Sequence, residues 1–163
     1  MSDSQEETIA AAAQAERETE ALHSSAVRWQ GPLMGGGSGS VTLDSGAAPS
    51  AMALTWESRT EPPGGRTSPE ELISAGLASC FSMMLAHLLA QDGHPVTSLR
   101  TEARAAKRIG GNFAIKRIEL HVTGEVDGID AEAFRETAAI ARRDCPAANA
   151  LSGTEIRLTA ELA

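Results

Sequence analysis

The chain has 163 residues and a formal net charge of −8. This length fits one domain that is large enough to bury a core without disulfide staples. The acidic balance argues against nucleic acid or an anionic membrane surface as a partner. The N-terminal segment has no cationic stretch followed by an apolar one, and no uninterrupted run approaches the roughly 18 apolar residues of a membrane span. We therefore expect a cytoplasmic protein.

The two cysteines and four histidines show no spacing that is typical of a metal site, such as CxxC or HxxxH. We therefore predict no metal and no bound cofactor. In a cytoplasmic protein, two cysteines are more often redox-active or inert than a structural disulfide. The cysteines are accordingly the first candidates for chemistry.

Residues 1–24 differ in composition from the rest of the chain. They carry six acidic residues and one arginine, which give −5 of the total charge of −8, around an alanine run at 10–13. This composition is typical of a solubilising extension, either a marginal helix or a disordered tail. We expect residues 25–163 to form the folded domain.

Strand patterns come first in that domain. Val27 and Trp29 alternate with polar neighbours, and a second strand is predicted over 40–44. The glycine-rich segment between them lacks the Gly-Lys-Ser/Thr ending of a phosphate-binding loop, so we interpret it as a hairpin loop. A third strand is predicted over 51–59, before the strong breaker at 61–65.

A long helix follows. The sequence Ser-Pro-Glu-Glu at 68–71 combines a capping box, a proline at the first helical position and acids in the first turn. The helix should run to about Gln91, where Asp92 and Gly93 stop it. Because it is apolar nearly all round, we expect it at the centre of the fold.

The remaining segments alternate between strand and helix patterns. A hairpin is predicted over 96–109 and 113–126, a short amphipathic helix over 131–143, a second helix near Cys145, and a half-buried strand over 156–162. The order strands, long helix, hairpin, helices, strand predicts an α+β fold with antiparallel sheet.

Cys80 lies within the long helix among apolar neighbours. Such a thiol is either a packed core residue or an attacking thiol in an apolar pocket. Burial alone would keep a thiol protonated, so an attacking thiol requires a nearby cation, for which Arg59 and Arg66 are candidates. His87 lies two helical turns from Cys80, roughly 10 Å along the axis, so we do not expect it to pair with the thiol.

Cys145 directly precedes Pro146 at the predicted start of a helix. There the helix dipole would favour a thiolate, although the position is also compatible with an ordinary cap residue. Two cysteines in such contexts, with no others in the chain, favour a redox couple.

Three segments that contain or precede the cysteines carry a resemblance to a known family. Ser-Pro-Glu-Glu-Leu-Ile-Ser-Ala at 68–75, Ser-Cys-Phe-Ser-Met-Met-Leu at 79–85 and Cys-Pro-Ala-Ala-Asn-Ala-Leu at 145–151 closely resemble the OsmC/Ohr family. These are the osmotically inducible and organic-hydroperoxide-resistance proteins. The resemblance covers about 25–163. It implies an intertwined homodimer with curved antiparallel sheets packed around a long central helix.

The resemblance also implies an activity and a site. It implies a thiol peroxidase that reduces organic hydroperoxides, and hydrogen peroxide more weakly, using a dithiol reductant of the lipoyl or thioredoxin type. Cys80 corresponds to the peroxidatic thiol, Cys145 to the resolving thiol and Glu70 to the active-site carboxylate. Arg59 matches the family's arginine less closely, and Arg28 or Arg66 could take its place.

Helix geometry adds a constraint on that site. Glu70 precedes Cys80 by ten residues, which is roughly 15 Å on one helix. One arginine cannot touch both, so we expect the Arg59–Glu70 pair that serves a given Cys80 to come at least partly from the partner subunit.

Two other functions remain open: a thiol redox sensor, and a non-enzymatic dimeric binding module with Cys80 in its core.

Overall fold

The computed structural model describes residues 21–33, 36–62, 64–107 and 114–163. Six strands lie in this part of the chain, and the first three are short: β1 (Ser25–Gln30), β2 (Ser38–Leu43) and β3 (Met52–Thr55). They form one antiparallel sheet in the order β1-β2-β3. The predicted extension falls mostly on residues 1–20, outside the described residues, and the tip of the predicted glycine-rich loop does so as well.

The helices and the second sheet follow in chain order. They are α1 (Pro69–Gln91), β4 (Val96–Lys107), β5 (Ile115–Val126), α2 (Ala131–Asp144), α3 (Pro146–Ala150) and β6 (Glu155–Leu162). The predicted long helix, hairpin arms and α+β class are therefore confirmed, while the tip of the hairpin, 108–113, lies outside the described residues.

The second sheet has the order β4-β5-β6, and its last strand corrects the prediction of an antiparallel sheet. β4 and β5 are antiparallel, but β6 pairs with β5 in parallel, from Arg117 opposite Glu155 to Gly124 opposite Leu162. The reason is the connection: α2 and α3 carry the chain back along the sheet, so β6 enters from the same end as β5.

The hydrophobic core lies between this second sheet and the helices. α1 packs on β4, α2 and α3, and its buried row consists of Leu77, Phe81, Leu85 and Leu89.

By length and composition, α1 could also cross a membrane, since an 18-residue window of it has a mean hydropathy of 1.8. This corrects our expectation that no segment would qualify. A core helix of a soluble domain passes the same test, and only 28% of that window is buried within the single chain.

The third predicted strand ends earlier than expected. β3 stops at Thr55, and Glu57–Arg59 forms a 3-10 turn instead of strand. The backbone N–H of Thr55 donates to Ser58 Oγ at 3.3 Å, and the N–H of Ser58 donates to Thr55 Oγ1 at 3.3 Å. These two hydroxyls offer the backbone partners that a sheet would otherwise supply, so the chain turns there.

The N-terminal sheet is only lightly attached to the rest of the chain. All six residues of β1 are exposed, including Val27 at 63% and Trp29 at 37%. The sheet is joined to the segment before α1 by a bridge between Leu54 and Thr67 and by the backbone hydrogen bond from Thr67 to Ala53, 2.8 Å long. Its strands otherwise contact mainly one another.

Gly124 provides a test of the packing between β5 and α2. A β-carbon at this position would stand 2.6 Å from Cζ of Phe134, whose side chain is fully buried. Gly124→Ala should therefore lower the free energy of unfolding by about 1–3 kcal/mol, the usual effect of overpacking a core. Urea unfolding at fixed protein concentration measures this.

Gly153 supplies the matched control for that substitution. A β-carbon there would meet nothing within 4 Å, and Gly153 does not have a positive φ. Gly153→Ala should leave the free energy of unfolding within about 1 kcal/mol of the wild-type value. Equal stability of the two variants would contradict the close contact between β5 and Phe134.

Candidate active site

The start of α1 places a carboxylate in the interior. Ser68 is the N-cap residue, and its hydroxyl accepts a hydrogen bond from the backbone N–H of Glu71 at 3.1 Å. Pro69 occupies the first turn, as the sequence predicted. This start fixes Glu70 in the first turn with its side chain directed inward, where the residue is only 8% exposed.

Arg59 reaches Glu70 from the 3-10 turn. Its Nε lies 3.1 and 3.3 Å from the two carboxylate oxygens, and its Nη2 lies 2.5 Å from Oε1. Burial alone would raise the pKa of Glu70, but the hydrogen bonds and charges of Arg59, helped by the charge of Lys107, outweigh burial and lower that pKa. Glu70 is therefore an ionised carboxylate held by Arg59.

Two further side chains complete this cluster, and sequence reasoning missed both. Lys107 Nζ lies 3.6 Å from Glu70 Oε1, with its side chain only 6% exposed. Arg59 and Lys107 both lie over the ring of Trp56, at 5.4 and 5.6 Å from its centroid. The cluster thus consists of one carboxylate, two cations and one aromatic ring that contacts both cations.

A cavity of about 500 Å³ opens beside the cluster. Its walls combine polar groups with small side chains from α1 and β4: Ser58, Arg59, Ser68, Glu70, Glu71, Ser74, Ala75, Ala78, Thr101, Ala103, Ala105 and Lys107. Cys80 does not line it. The structure therefore brings Arg59 and Glu70 together within one chain and leaves Cys80 outside their cavity.

Cys80 instead lies with the second cysteine. Cys80, half-buried on α1, packs against the core cluster that contains Cys145, and the two thiols lie near enough for Cys80 to influence the pKa of Cys145. Cys145 is fully buried at the junction of α2 and α3, where it ends one helix and starts the next. Both thiols are free.

The environment of Cys145 corrects one expectation. Burial is the largest influence and raises the pKa of the Cys145 thiol, and the neighbouring Cys80 raises it further. Hydrogen bonds from the backbone N–H groups of Ala148 and Ala147 oppose this rise without reversing it. The predicted stabilisation of a thiolate at this helix start is therefore outweighed by burial, and Cys145 is a protonated thiol near neutral pH.

The other predicted candidates lie elsewhere. Arg28, Arg66 and His87 are all exposed, and none of them lines the cavity. Among the residues that the structure describes, no group of three or more histidine, cysteine, aspartate or glutamate side chains could hold a metal ion. Arg59 is therefore the arginine that contacts Glu70.

This arrangement occurs in a chain with clear relatives. Residues 62–161 match the family model described as OsmC-like protein. Peroxiredoxin OsmC of Escherichia coli (strain K12) is 36% identical over 135 residues, which cover 82% of this chain and 92% of that protein.

Solved structures agree with the fold. An organic hydroperoxide resistance protein from Elizabethkingia anophelis superposes with a TM-score of 0.68 at 20% identity, covering 89% of this chain and 100% of the other. An OsmC-like protein of unknown function from Vibrio cholerae gives a TM-score of 0.68 at 17% identity, with coverage of 86% and 99%. The match over residues 62–161 and the relative with 36% identity establish that the chain belongs to the OsmC-like family.

Proposed function

We propose that this protein is a thiol peroxidase that reduces organic hydroperoxides, and hydrogen peroxide more weakly, to alcohols or water. The observation that carries the proposal is the proximity of a half-buried Cys80 to a fully buried Cys145, both with free thiols. The name of the Escherichia coli relative, Peroxiredoxin OsmC, supports the same class of activity.

The two thiols differ in the way that a two-step cycle requires. Cys80 is the more accessible, so a peroxide reaches it first, and Cys145 remains protonated behind it. The Cys80 thiolate attacks the terminal hydroxyl oxygen of the peroxide, the O–O bond breaks, and the other oxygen leaves as an alkoxide that takes up a proton from water to form the alcohol. Cys80 is now a sulfenic acid, oxidised by two electrons.

The second step closes a disulfide. The Cys145 sulfur attacks the Cys80 sulfur, its proton and the sulfenic hydroxyl leave as water, and an S–S bond forms. A dithiol then reduces this bond by thiol–disulfide exchange and becomes a disulfide itself. We propose a reductant of the lipoyl or thioredoxin type, and a cytoplasmic location, where such dithiols are kept reduced.

Arg59 and Glu70 supply the charge that the attacking thiolate needs. Arg59 uses Nε and Nη2 to hold Glu70, which leaves its Nη1 edge directed away from the carboxylate. We assign that edge to the thiolate and the peroxide. Since Cys80 lies about 15 Å along α1 from Glu70 and outside the cavity, the pair that serves it comes from a second chain.

Two exposed surfaces support a homodimer. The N-terminal sheet presents Val27 and Trp29 to solvent in the single chain. One face of α1 is also exposed, with Ile73 at 36% and Met83 at 69%, and a β-carbon added at Gly76 between them would meet nothing within 4 Å. A second copy that covered both surfaces would bury apolar area that a monomer leaves in water.

The cavity favours organic hydroperoxides over hydrogen peroxide. Its volume of about 500 Å³ exceeds what hydrogen peroxide needs, and the alanines at 75, 78, 103 and 105 offer apolar contacts to an alkyl or aryl group. Each such contact adds binding free energy that hydrogen peroxide, which has no organic group, cannot gain. Charged cavity groups, Arg59 above all, orient the peroxide oxygens.

Stopped-flow kinetics test the proposed function. Pre-reduced protein is mixed with cumene hydroperoxide or with hydrogen peroxide, and free thiols are counted afterwards. We expect the organic substrate to react at least about tenfold faster, because its apolar group gains a few contacts in the cavity. Both thiols should be lost per equivalent consumed, and protein alkylated beforehand should be inert.

Other results would support the alternatives. Slow oxidation that does not turn over with a dithiol would identify a redox sensor. Two intact thiols after prolonged exposure to excess peroxide would rule out both the peroxidase and the sensor, and would leave a binding module.

A further inference from the structure

Lys107 occupies a position where lysine is rarely found. It ends the row of β4 that faces α1, after Thr101, Ala103 and Ala105, and all four side chains line the cavity. Its side chain is only 6% exposed. Burying an ammonium group is unfavourable unless it is paired, so a lysine kept in this place has charged or aromatic neighbours that retain it.

Those neighbours belong to the Arg59–Glu70 cluster. Lys107 Nζ lies 3.6 Å from Glu70 Oε1, the oxygen that Arg59 Nη2 also contacts, and 5.6 Å from the centroid of Trp56. Glu70 therefore has cations on two sides, from the 3-10 turn and from β4. Among the residues that the structure describes, Glu71 is the one other charged group that lines the same cavity; it is exposed and accepts a hydrogen bond from Thr67.

The two cations are suited to different tasks. Arg59 lies in a short turn, is a quarter exposed, and has an edge that does not contact Glu70. Lys107 lies at the end of a twelve-residue strand and is almost fully enclosed. When Arg59 engages a thiolate or a peroxide, its hold on Glu70 weakens, and Lys107 is placed to keep the carboxylate ionised and in position.

We propose that Lys107 is a positioning residue of this site, which holds Glu70 as an ionised anchor for Arg59 without touching the reacting atoms. The role in turnover rests on the proposed peroxidase function, whereas the coupling between Lys107 and Glu70 does not. These two parts can therefore be tested separately.

The first test measures the coupling without any peroxide. Urea midpoints at pH 7 are compared for wild type, Glu70→Gln, Lys107→Met and the double variant. Glu70→Gln should lower the midpoint less in the Lys107→Met background than in the wild type, because the ion pair is already lost there. Equal effects in both backgrounds would overturn the proposal.

The second test uses the pH dependence of kcat/KM for cumene hydroperoxide. Without Lys107, burial is opposed by Arg59 and by a backbone hydrogen bond but by one cation fewer, so Glu70 takes up a proton at a higher pH than in the wild type. We expect Lys107→Met to lose about twofold in kcat/KM at pH 5 and to lose little at pH 8. Lys107→Arg should restore most of the loss.

The chain offers a matched control. Lys116 is its only other lysine and is exposed on β5, so Lys116→Met removes the same charge away from the cavity and should leave the profile unchanged. The wild type could be active and the coupling present while Lys107→Met leaves the pH dependence of kcat/KM unchanged. Lys107 would then have only a structural role, and the proposal would be overturned. An inactive wild type would instead reject the peroxidase function.

Discussion

Replacing Cys80 with serine should reduce peroxide consumption to the background rate, a loss of at least about a thousandfold. The reason is chemical, since the thiolate is the nucleophile and a serine hydroxyl in the same half-buried place remains protonated. Stopped-flow consumption of cumene hydroperoxide measures the loss. Circular dichroism and urea unfolding check that the variant is folded.

Cys145→Ser is the control that separates the two thiols. This variant should consume about one equivalent of peroxide rapidly and then stop, because no second sulfur closes the disulfide. Excess peroxide should then convert Cys80 to sulfinic acid, which mass spectrometry detects. A Cys80→Ser variant that kept the wild-type rate would reject the assignment, and full turnover by Cys145→Ser would reject the two-cysteine cycle.

Mixing two inactive variants should restore activity if each site draws on two chains. In a mixed dimer of Cys80→Ser with Arg59→Ala, one site has both lesions and the other has none. Such dimers, purified through two different tags, should have about half of the wild-type activity. Each variant alone should be nearly inactive, because the thiolate or its guanidinium is missing from both sites.

The reciprocal mixture makes this test decisive. When one chain carries both substitutions and its partner is wild type, each shared site has one lesion and the dimer should be inactive. If Arg59 instead served Cys80 of its own chain, the results would be reversed, with the reciprocal mixture half active and the first mixture inactive. A monomer at assay concentrations would contradict the shared site directly.

Local chemistry explains which elements the sequence could predict. Ser68 and Pro69 specify the start of α1 through interactions within one helical turn, so the predicted boundary agrees with the structure. The contact between Arg59 and Glu70 joins two residues only eleven positions apart, across a turn that proline and glycine make evident. These features depend on few residues close together in the chain.

The features that were missed depend on contacts between distant segments. The parallel pairing of β6 with β5 follows from the path of α2 and α3, which no strand pattern reveals. At Cys145, burial raises the pKa of the thiol more than the start of α3 lowers it, and burial is a property of the assembled core. The sequence did contain a signal for the burial of Lys107. Leu99, Thr101, Ala103 and Ala105 recur with a period of two, and Lys107 continues this row on the inward face of β4.

The separation of Cys80 from the Arg59–Glu70 pair of its own chain has a consequence for newly made protein. In a chain that has not yet met a partner, Arg59 is held by its own Glu70, and Cys80 is too far along α1 to gain that charge. Under the proposed assembly, a nascent chain carries an unactivated thiol until it dimerises. Biosynthesis during oxidative stress would then deliver intact subunits, since sensitivity to peroxide would begin only with the assembled enzyme.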